Sequence, residues 1–378
     1  MKKVLIDATA LSDQYKGRGI GTYAKNIITE LIKSKKYKWH LLGFDDAKNL
    51  FSSAKFYSIG DVFPSNPQNF LKFKFKLSSV VNKVKPDLFF SPNFERGLPI
   101  GKCKIAVMIH DISPLLFNSF SLQGRLVNYI KGLFYKYNLK NAKRADLVLV
   151  NSEFTESEVK KVGFSNTQIT HLGLSLDLDV DVLKRIKSRQ KILDKYEIVK
   201  PYIFYYGGFE KNKNVDKLLE AFYEVKKEVD MKLVLLDKNL SREKDSVLST
   251  SAAAQEAKED MERLGITNSV ILPRFIPWND LPVVHAEAVA FVHLSSYEGF
   301  GFAPIEAMAS SAPVIAADAS CYPEILGDGA ILLNPKSTEI IKYNVLRLMQ
   351  DETFRKEQIK KGKKQAGKYS WEKCSKET

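Results

Sequence analysis

The chain has 378 residues, 44% of them hydrophobic and 27% charged, which is ample apolar material for two globular cores. Its three cysteines (Cys103, Cys321, Cys374) form no CxxC pair and fit no zinc spacing. No stretch of about 18 uncharged apolar residues is present, so the composition argues against a disulfide scaffold, a zinc module or a spanning helix, and a reduced, cytoplasmic protein is expected.

The net charge of +14 lies wholly in residues 1–170, where 27 basic residues face 13 acidic ones; the remainder holds 31 of each. Halves of such different charge suggest two domains with different partners, the basic one suited to an anionic membrane, a nucleic acid or a phosphorylated substrate.

In chain order, short apolar runs alternate with amphipathic stretches. Strands are predicted at 4–7, 39–44, 88–91, 105–109 and 147–150, with a helix at 22–33 whose Tyr23, Ile27, Ile28 and Leu31 share a face. The rhythm breaks at 173–198, a predicted linker. It resumes with strands at 202–206, 232–236, 270–272, 290–293 and 314–316, helices at 215–228, 252–264 and 304–309, and a basic helix at 353–371. Continuous Val/Ile/Leu runs separated by helices are buried parallel strands. The expected fold is α/β: two doubly wound, Rossmann-like domains, 1–172 and 199–352. The tail 353–378 is expected to cross back to the first domain, and ligands to lie beyond the strand C-terminal ends, in a cleft between the two sheets.

The richest segment is Glu298-Gly299-Phe300-Gly301-Phe302-Ala303-Pro304-Ile305-Glu306. A glycine loop leads from a strand into a helix with proline in its first turn. Backbone N–H groups and the positive dipole end at such a start suit a phosphate. Glu298 and Glu306 flank that anion site and would accept hydrogen bonds from hydroxyls, a combination suited to a sugar–diphosphate–ribose ligand.

The pair Glu298…Glu306 resembles the E-x7-E motif of retaining GT-B glycosyltransferases of family 4. The likeness extends to Ala312-Pro313-Val314-Ile315-Ala316, to Tyr322-Pro323-Glu324 and to the segment from Tyr206 to Asn214, and covers nearly the whole chain. It implies that Glu298 lies by the donor sugar, that Glu306 binds the nucleotide ribose, and that the amides of Gly299, Phe300, Gly301 and Phe302 hold sugar or phosphate. The segment from Gly207 and Gly208 to Asn214 resembles the family's G-x-x-x-x-R-K-N, whose Arg and Lys neutralise the leaving diphosphate. Lys213 and Asn214 match, but Asn212 stands where Arg is expected, and Lys211 is the neighbouring cation that would substitute as a point charge.

In the first half, Gly17, Gly19 and Gly21 precede a helix, where glycines let backbone approach a phosphate or sugar. Gly19 to Ala24 also satisfies G-x-G-x-x-A, with Asp45 and Asp46 near the spacing of a ribose-binding acid, although nine residues separate Gly17 from the strand. His110-Asp111 ends a strand and resembles a pair common in the family, with His110 beside the donor sugar. Two basic, apolar segments, 70–77 and 125–144, suit either a core face or an anionic membrane interface.

The expected function is therefore a retaining, metal-independent hexosyltransferase that moves mannose or rhamnose from a nucleotide-diphosphate sugar to a lipid-linked or growing glycan. Glu298, His110 and Lys213 would be the catalytic residues, and the nucleotide sugar would serve as co-substrate with no cofactor. Attachment to the inner face of the plasma membrane is expected, and nucleic acid is not an expected partner. The alternatives are a non-catalytic GT-B partner protein, suggested by Asn212, and an NAD-dependent oxidoreductase, suggested by Gly19 to Ala24.

Overall fold

A computed structural model describes the chain except for residues 13–18, 61–68, 117–124, 175–185, 238–250 and 274 and the side chains of 125–128, 131 and 186–188. Two compact units are present, residues 1–175 with 370–378, and residues 176–369.

The first unit is built on a seven-stranded parallel sheet of β1 (Lys3–Asp7), β2 (Lys38–Gly43), β3 (Lys55–Ser58), β4 (Leu88–Ser91), β5 (Lys104–Ile109), β6 (Leu147–Val150) and β7 (Thr167–Ile169), in the order β3-β2-β1-β4-β5-β6-β7. The second is built on a six-stranded parallel sheet of β8 (Tyr202–Gly207), β9 (Lys232–Asp237), β10 (Val270–Ile271), β11 (Ala290–His293), β12 (Val314–Ala317) and β13 (Ala330–Leu333), in the order β10-β9-β8-β11-β12-β13. Central strands such as Leu147–Val150 carry apolar residues at successive positions because helices cover both sheet faces. Leu5, Phe73, Phe89, Val107 and Val148 centre the first core, and Phe222, Leu233, Val292, Ile315 and Val345 the second. The strand order reverses between β1 and β4 and between β8 and β11, so each sheet has a crevice at the carboxyl ends of those strands.

Several elements depart from the expectation. The first helix is Gly19–Leu31, so Gly19 and Gly21 lie in its opening turn and not in a loop; Gly17 is outside the described residues. Part of the expected linker is a helix, Ile186–Lys195, tied into the second unit by Arg189 to Glu287 (3.0 Å) and Lys195 to Asp280 (2.8 Å); residues 175–185 of that linker are outside the described set. The basic tail is two helices. Glu352–Ala366 belongs to the second unit, where Gln365 and Tyr369 both donate to the Ile325 carbonyl. Ser370 then caps a new helix, Trp371–Glu377, its hydroxyl accepting the Lys373 N–H at 3.2 Å, and this last piece belongs to the first unit. A cap restarts helical hydrogen bonding in a new direction, which one amphipathic pattern does not reveal. The edge strands Lys55–Ser58 and Thr167–Ile169 are partly exposed and lack a continuous apolar run, while the edge strand Ala330–Leu333 is apolar throughout and was passed over in the sequence.

Candidate active site

In the second unit the two segments singled out in the sequence leave the carboxyl ends of β8 and β11, adjacent strands at the order reversal. After Gly207 the chain passes Gly208 into a short turn, Lys211–Lys213. Asn214 then adopts the left-handed conformation (φ 51°) and starts the helix Val215–Lys226. Asparagine tolerates that conformation better than most residues, and its amide donates to the Leu294 carbonyl at 2.7 Å, joining the two segments.

After His293 the loop reaches Gly301 and the helix Phe302–Ala309. Gly301 has φ 84°, and a Cβ there would lie 2.5 Å from the Tyr322 ring, so only glycine fits. Gly301, at the cap position, has no side chain with which to cap the helix. Phe300 is buried against Phe302 and Tyr369, which leaves its backbone as the part able to face a ligand.

Lys213 and Glu298 form the central ion pair, Nζ to Oε1 2.5 Å, with side chains 10% and 22% exposed. The Asn212 side-chain amide donates to the Tyr297 carbonyl at 3.2 Å, while the Asn212 backbone carbonyl accepts the Ser296 N–H at 2.8 Å. Asn212 thus stitches the turn to the loop carrying Glu298. Lys211 is exposed. Glu306 is buried on the helix. Burial, followed by the charges of Glu306 and Asp237, holds the Tyr206 hydroxyl well above its ordinary pKa.

A buried aromatic stack beneath the loops escaped the sequence reading. The Tyr205 hydroxyl donates to the Gly208 carbonyl, and its ring lies parallel to His293 at 5.5 Å. His293 Nδ1 pairs with the Tyr322 hydroxyl at 2.7 Å, and the Tyr322 ring supports Gly301. Tyr322 was visible as part of a motif; His293 had no signal beyond its place at a strand end.

In the first unit, His110 follows β5. Burial lowers its pKa to about 4, so the imidazole is neutral. Its Nε2 lies 3.0 Å from the Pro92 carbonyl, a pure acceptor, so Nε2 carries the proton and Nδ1 the lone pair. Tyr23 meets the ring edge-on at 4.8 Å, linking His110 to the helix that begins with Gly19 and Gly21. Asp111 accepts from the N–H and hydroxyl of Ser113 at 2.9 and 2.6 Å, which fixes the turn after the strand. The structure therefore gathers Gly207, Gly208, Lys211, Asn212, Lys213, Glu298, Gly299, Phe300, Gly301, Phe302 and Glu306 in one unit, and Gly19, Gly21 and His110 in the other.

The family of glycosyl transferases group 1 matches residues 188–365, and glycosyltransferase family 4 matches residues 17–180. The O-antigen chain mannosyltransferase B of Escherichia coli is 28% identical over 296 residues, 78% of this chain and 73% of that protein. The serotype-specific mannosyltransferase WbdA of Escherichia coli is 24% identical over 307 residues, 77% of this chain, which spans only 36% of that longer protein. Among solved structures, sucrose-phosphate synthase from Thermosynechococcus elongatus superposes with a TM-score of 0.73 at 16% identity, covering 99% of this chain and 96% of that one. Anabaena HepE in complex with UDP and glucose gives 0.72 at 16% identity, covering 100% and 98%. With two parallel doubly wound sheets and these two matches covering nearly its whole length, the chain belongs to the GT-B glycosyltransferases and is an enzyme of sugar transfer.

Proposed function

We propose that the chain transfers a hexose, mannose or rhamnose, from a nucleotide-diphosphate sugar to a hydroxyl of a lipid-linked or growing surface glycan, with retention and without a metal. The observation that carries the reading is the Lys213–Glu298 pair together with the glycine-led helix start at Phe302, at the strand-order reversal of the second sheet. The mannosyltransferase relatives support the sugar and the acceptor class, and HepE with UDP supports a nucleotide-diphosphate donor.

In this reading the diphosphate faces the helix amides and Lys213, Glu306 takes the ribose hydroxyls, and Glu298 contacts the sugar. The acceptor oxygen bonds to the anomeric carbon on the face from which the diphosphate leaves. The anomeric carbon–oxygen bond to phosphate breaks, and the departing phosphate oxygen takes the acceptor proton. Lys213 supplies the positive charge that this departure demands, so the cation is built into the protein. Neutral His110, its Nδ1 lone pair fixed by the Pro92 contact, serves as a hydrogen-bond acceptor for a sugar hydroxyl. The +14 held by residues 1–170 supports peripheral attachment to an anionic, cytoplasmic membrane face. No helix among the described residues is long and apolar enough to cross a membrane.

Incubation of the purified protein with a panel of GDP-, UDP- and dTDP-sugars and a glycan acceptor tests the reading. Transfer with the anomeric configuration preserved by NMR, in the presence of EDTA, is the expected result. An inverted product, or transfer abolished by EDTA and restored by a divalent metal, overturns it.

A further inference from the structure

Two helices of the first unit, Phe70–Val84 and Arg125–Ala142, hold eight basic residues and no acidic one. The first begins Phe-Leu-Lys-Phe-Lys-Phe-Lys, an alternation suited to a strand, yet it is helical and buries Phe70, Phe73, Leu77, Val81 and Val84 on a single face. That choice leaves Leu71 and Phe75, one turn apart, each 77% exposed. On the second helix Tyr129, Leu133 and Tyr137, again successive turns of one face, are 41%, 51% and 44% exposed.

The two rows adjoin. Phe70 packs on Phe134 at 4.4 Å and on Tyr137 at 5.9 Å, and Lys74 donates to the Tyr137 hydroxyl at 2.5 Å while lying 4.7 Å above its ring. Folded surfaces seldom leave large apolar side chains in such a row without a use for them. Lys72, Lys136 and Lys140 are exposed beside them.

We propose that this paired-helix face is the membrane-docking surface, with Leu71, Phe75 and Leu133 entering the acyl boundary of an anionic leaflet while the lysines and tyrosines stay at headgroup level. The proposal rests on the peripheral attachment read above and assigns it a place. Charge complementarity selects the occupant: two lysine-rich helices that carry no carboxylate of their own, with aliphatic and aromatic tips between the lysines, match anionic lipid. A nucleic-acid platform would instead offer aromatic faces along a basic groove, whereas these tips are partly aliphatic and stand on convex helix surfaces.

Vesicle co-sedimentation with phosphatidylcholine alone and with added phosphatidylglycerol tests the assignment. Wild type is expected to bind only the anionic vesicles. The double variant Leu71→Ser/Phe75→Ser should bind them about tenfold or more weakly. Lys72→Ala and Lys136→Ala should each weaken binding about fivefold. Phe75→Trp should add a blue-shifted emission with those vesicles, a readout independent of the serine variant. Transfer to a soluble acceptor should stay at the wild-type rate in the double variant, because neither side chain belongs to the transfer site. If wild type binds anionic vesicles but the serine and tryptophan variants do not respond, another face docks; this proposal then falls while peripheral attachment stands. If wild type binds neither vesicle, both fall. If it binds a single-stranded RNA probe instead, with the same variants weakening that binding, the face is a nucleic-acid surface and the proposal is overturned.

Discussion

Replacing Lys213 by methionine keeps most of the stem and removes the charge. The side chain is 10% exposed and paired at 2.5 Å with Glu298, itself 22% exposed. Deleting one member of a fully buried pair costs about 3–5 kcal/mol, but Glu298 reaches water here, so about 1–2 kcal/mol of folding stability is expected to go. For a cooperative unit the size of residues 176–369 that lowers Tm by roughly 2–8 °C. A fold stable by about 5–15 kcal/mol remains populated after such a loss. Turnover should fall much further, by about 10²–10³, the scale of losing one preorganised donor to developing negative charge. Steady-state kinetics beside thermal unfolding separate the two effects. If Lys213 acts directly on the leaving diphosphate, Lys213→Met/Glu298→Gln should be slower than Glu298→Gln alone. If Lys213 only positions Glu298, the double variant should match the single one. A Lys213→Met enzyme turning over at the wild-type rate would refute the placement of the leaving group at this turn. Asn212→Arg offers a companion test: it removes the side-chain amide that donates to the Tyr297 carbonyl while the Ser296 bonds to the residue's backbone carbonyl remain, so arginine there should loosen the Glu298 loop and lower turnover, and a rate increase would show that the site lacks charge.

Glu306→Ala should weaken nucleotide-diphosphate affinity by about 1.5–3 kcal/mol, read by calorimetry; unchanged affinity would remove the ribose from this carboxylate. Gly301→Ala meets the Tyr322 ring at 2.5 Å in a left-handed backbone, so a loss of about 2–4 kcal/mol is expected in denaturant unfolding, and a wild-type midpoint would contradict the geometry. His285 is buried in the second unit against Phe204 and Phe291 with neither ring nitrogen hydrogen-bonded, and burial lowers its pKa to about 3. The unfolded imidazole binds its proton near pH 6.5 and the folded one near 3, so stability is full above 6.5 and declines as pH falls between these values. His285→Phe should flatten Tm against pH over that window, and an unchanged slope would assign the acid sensitivity to other groups.

The chain's own residues declared its class. Parallel strands buried on both faces need apolar side chains at successive positions, so Leu147–Val150 and Ala290–His293 read as strands from composition alone. The Glu298–Glu306 segment was legible because a glycine loop, a first-turn proline and two carboxylates must follow one another closely in the chain to build an anion site at a helix start. Contacts between residues distant in sequence were not legible. The 85-residue separation between Lys213 and Glu298 closes only because β8 and β11 are neighbours in the sheet, a consequence of strand order and not of local pattern. The same holds for the stack of Tyr205, His293 and Tyr322, whose members look like ordinary strand and helix residues until pairing aligns them. The tail was misread as one helix because its break rests on a serine cap and on which core buries Cys374 and which holds Gln365, and burial against a particular partner is settled by tertiary packing. Phe70–Val84 makes the same point: alternating phenylalanine and lysine favours a strand locally, but the face holding Phe73, Leu77 and Val81 buries more apolar surface as a helix against this sheet, and packing free energy outweighs propensity.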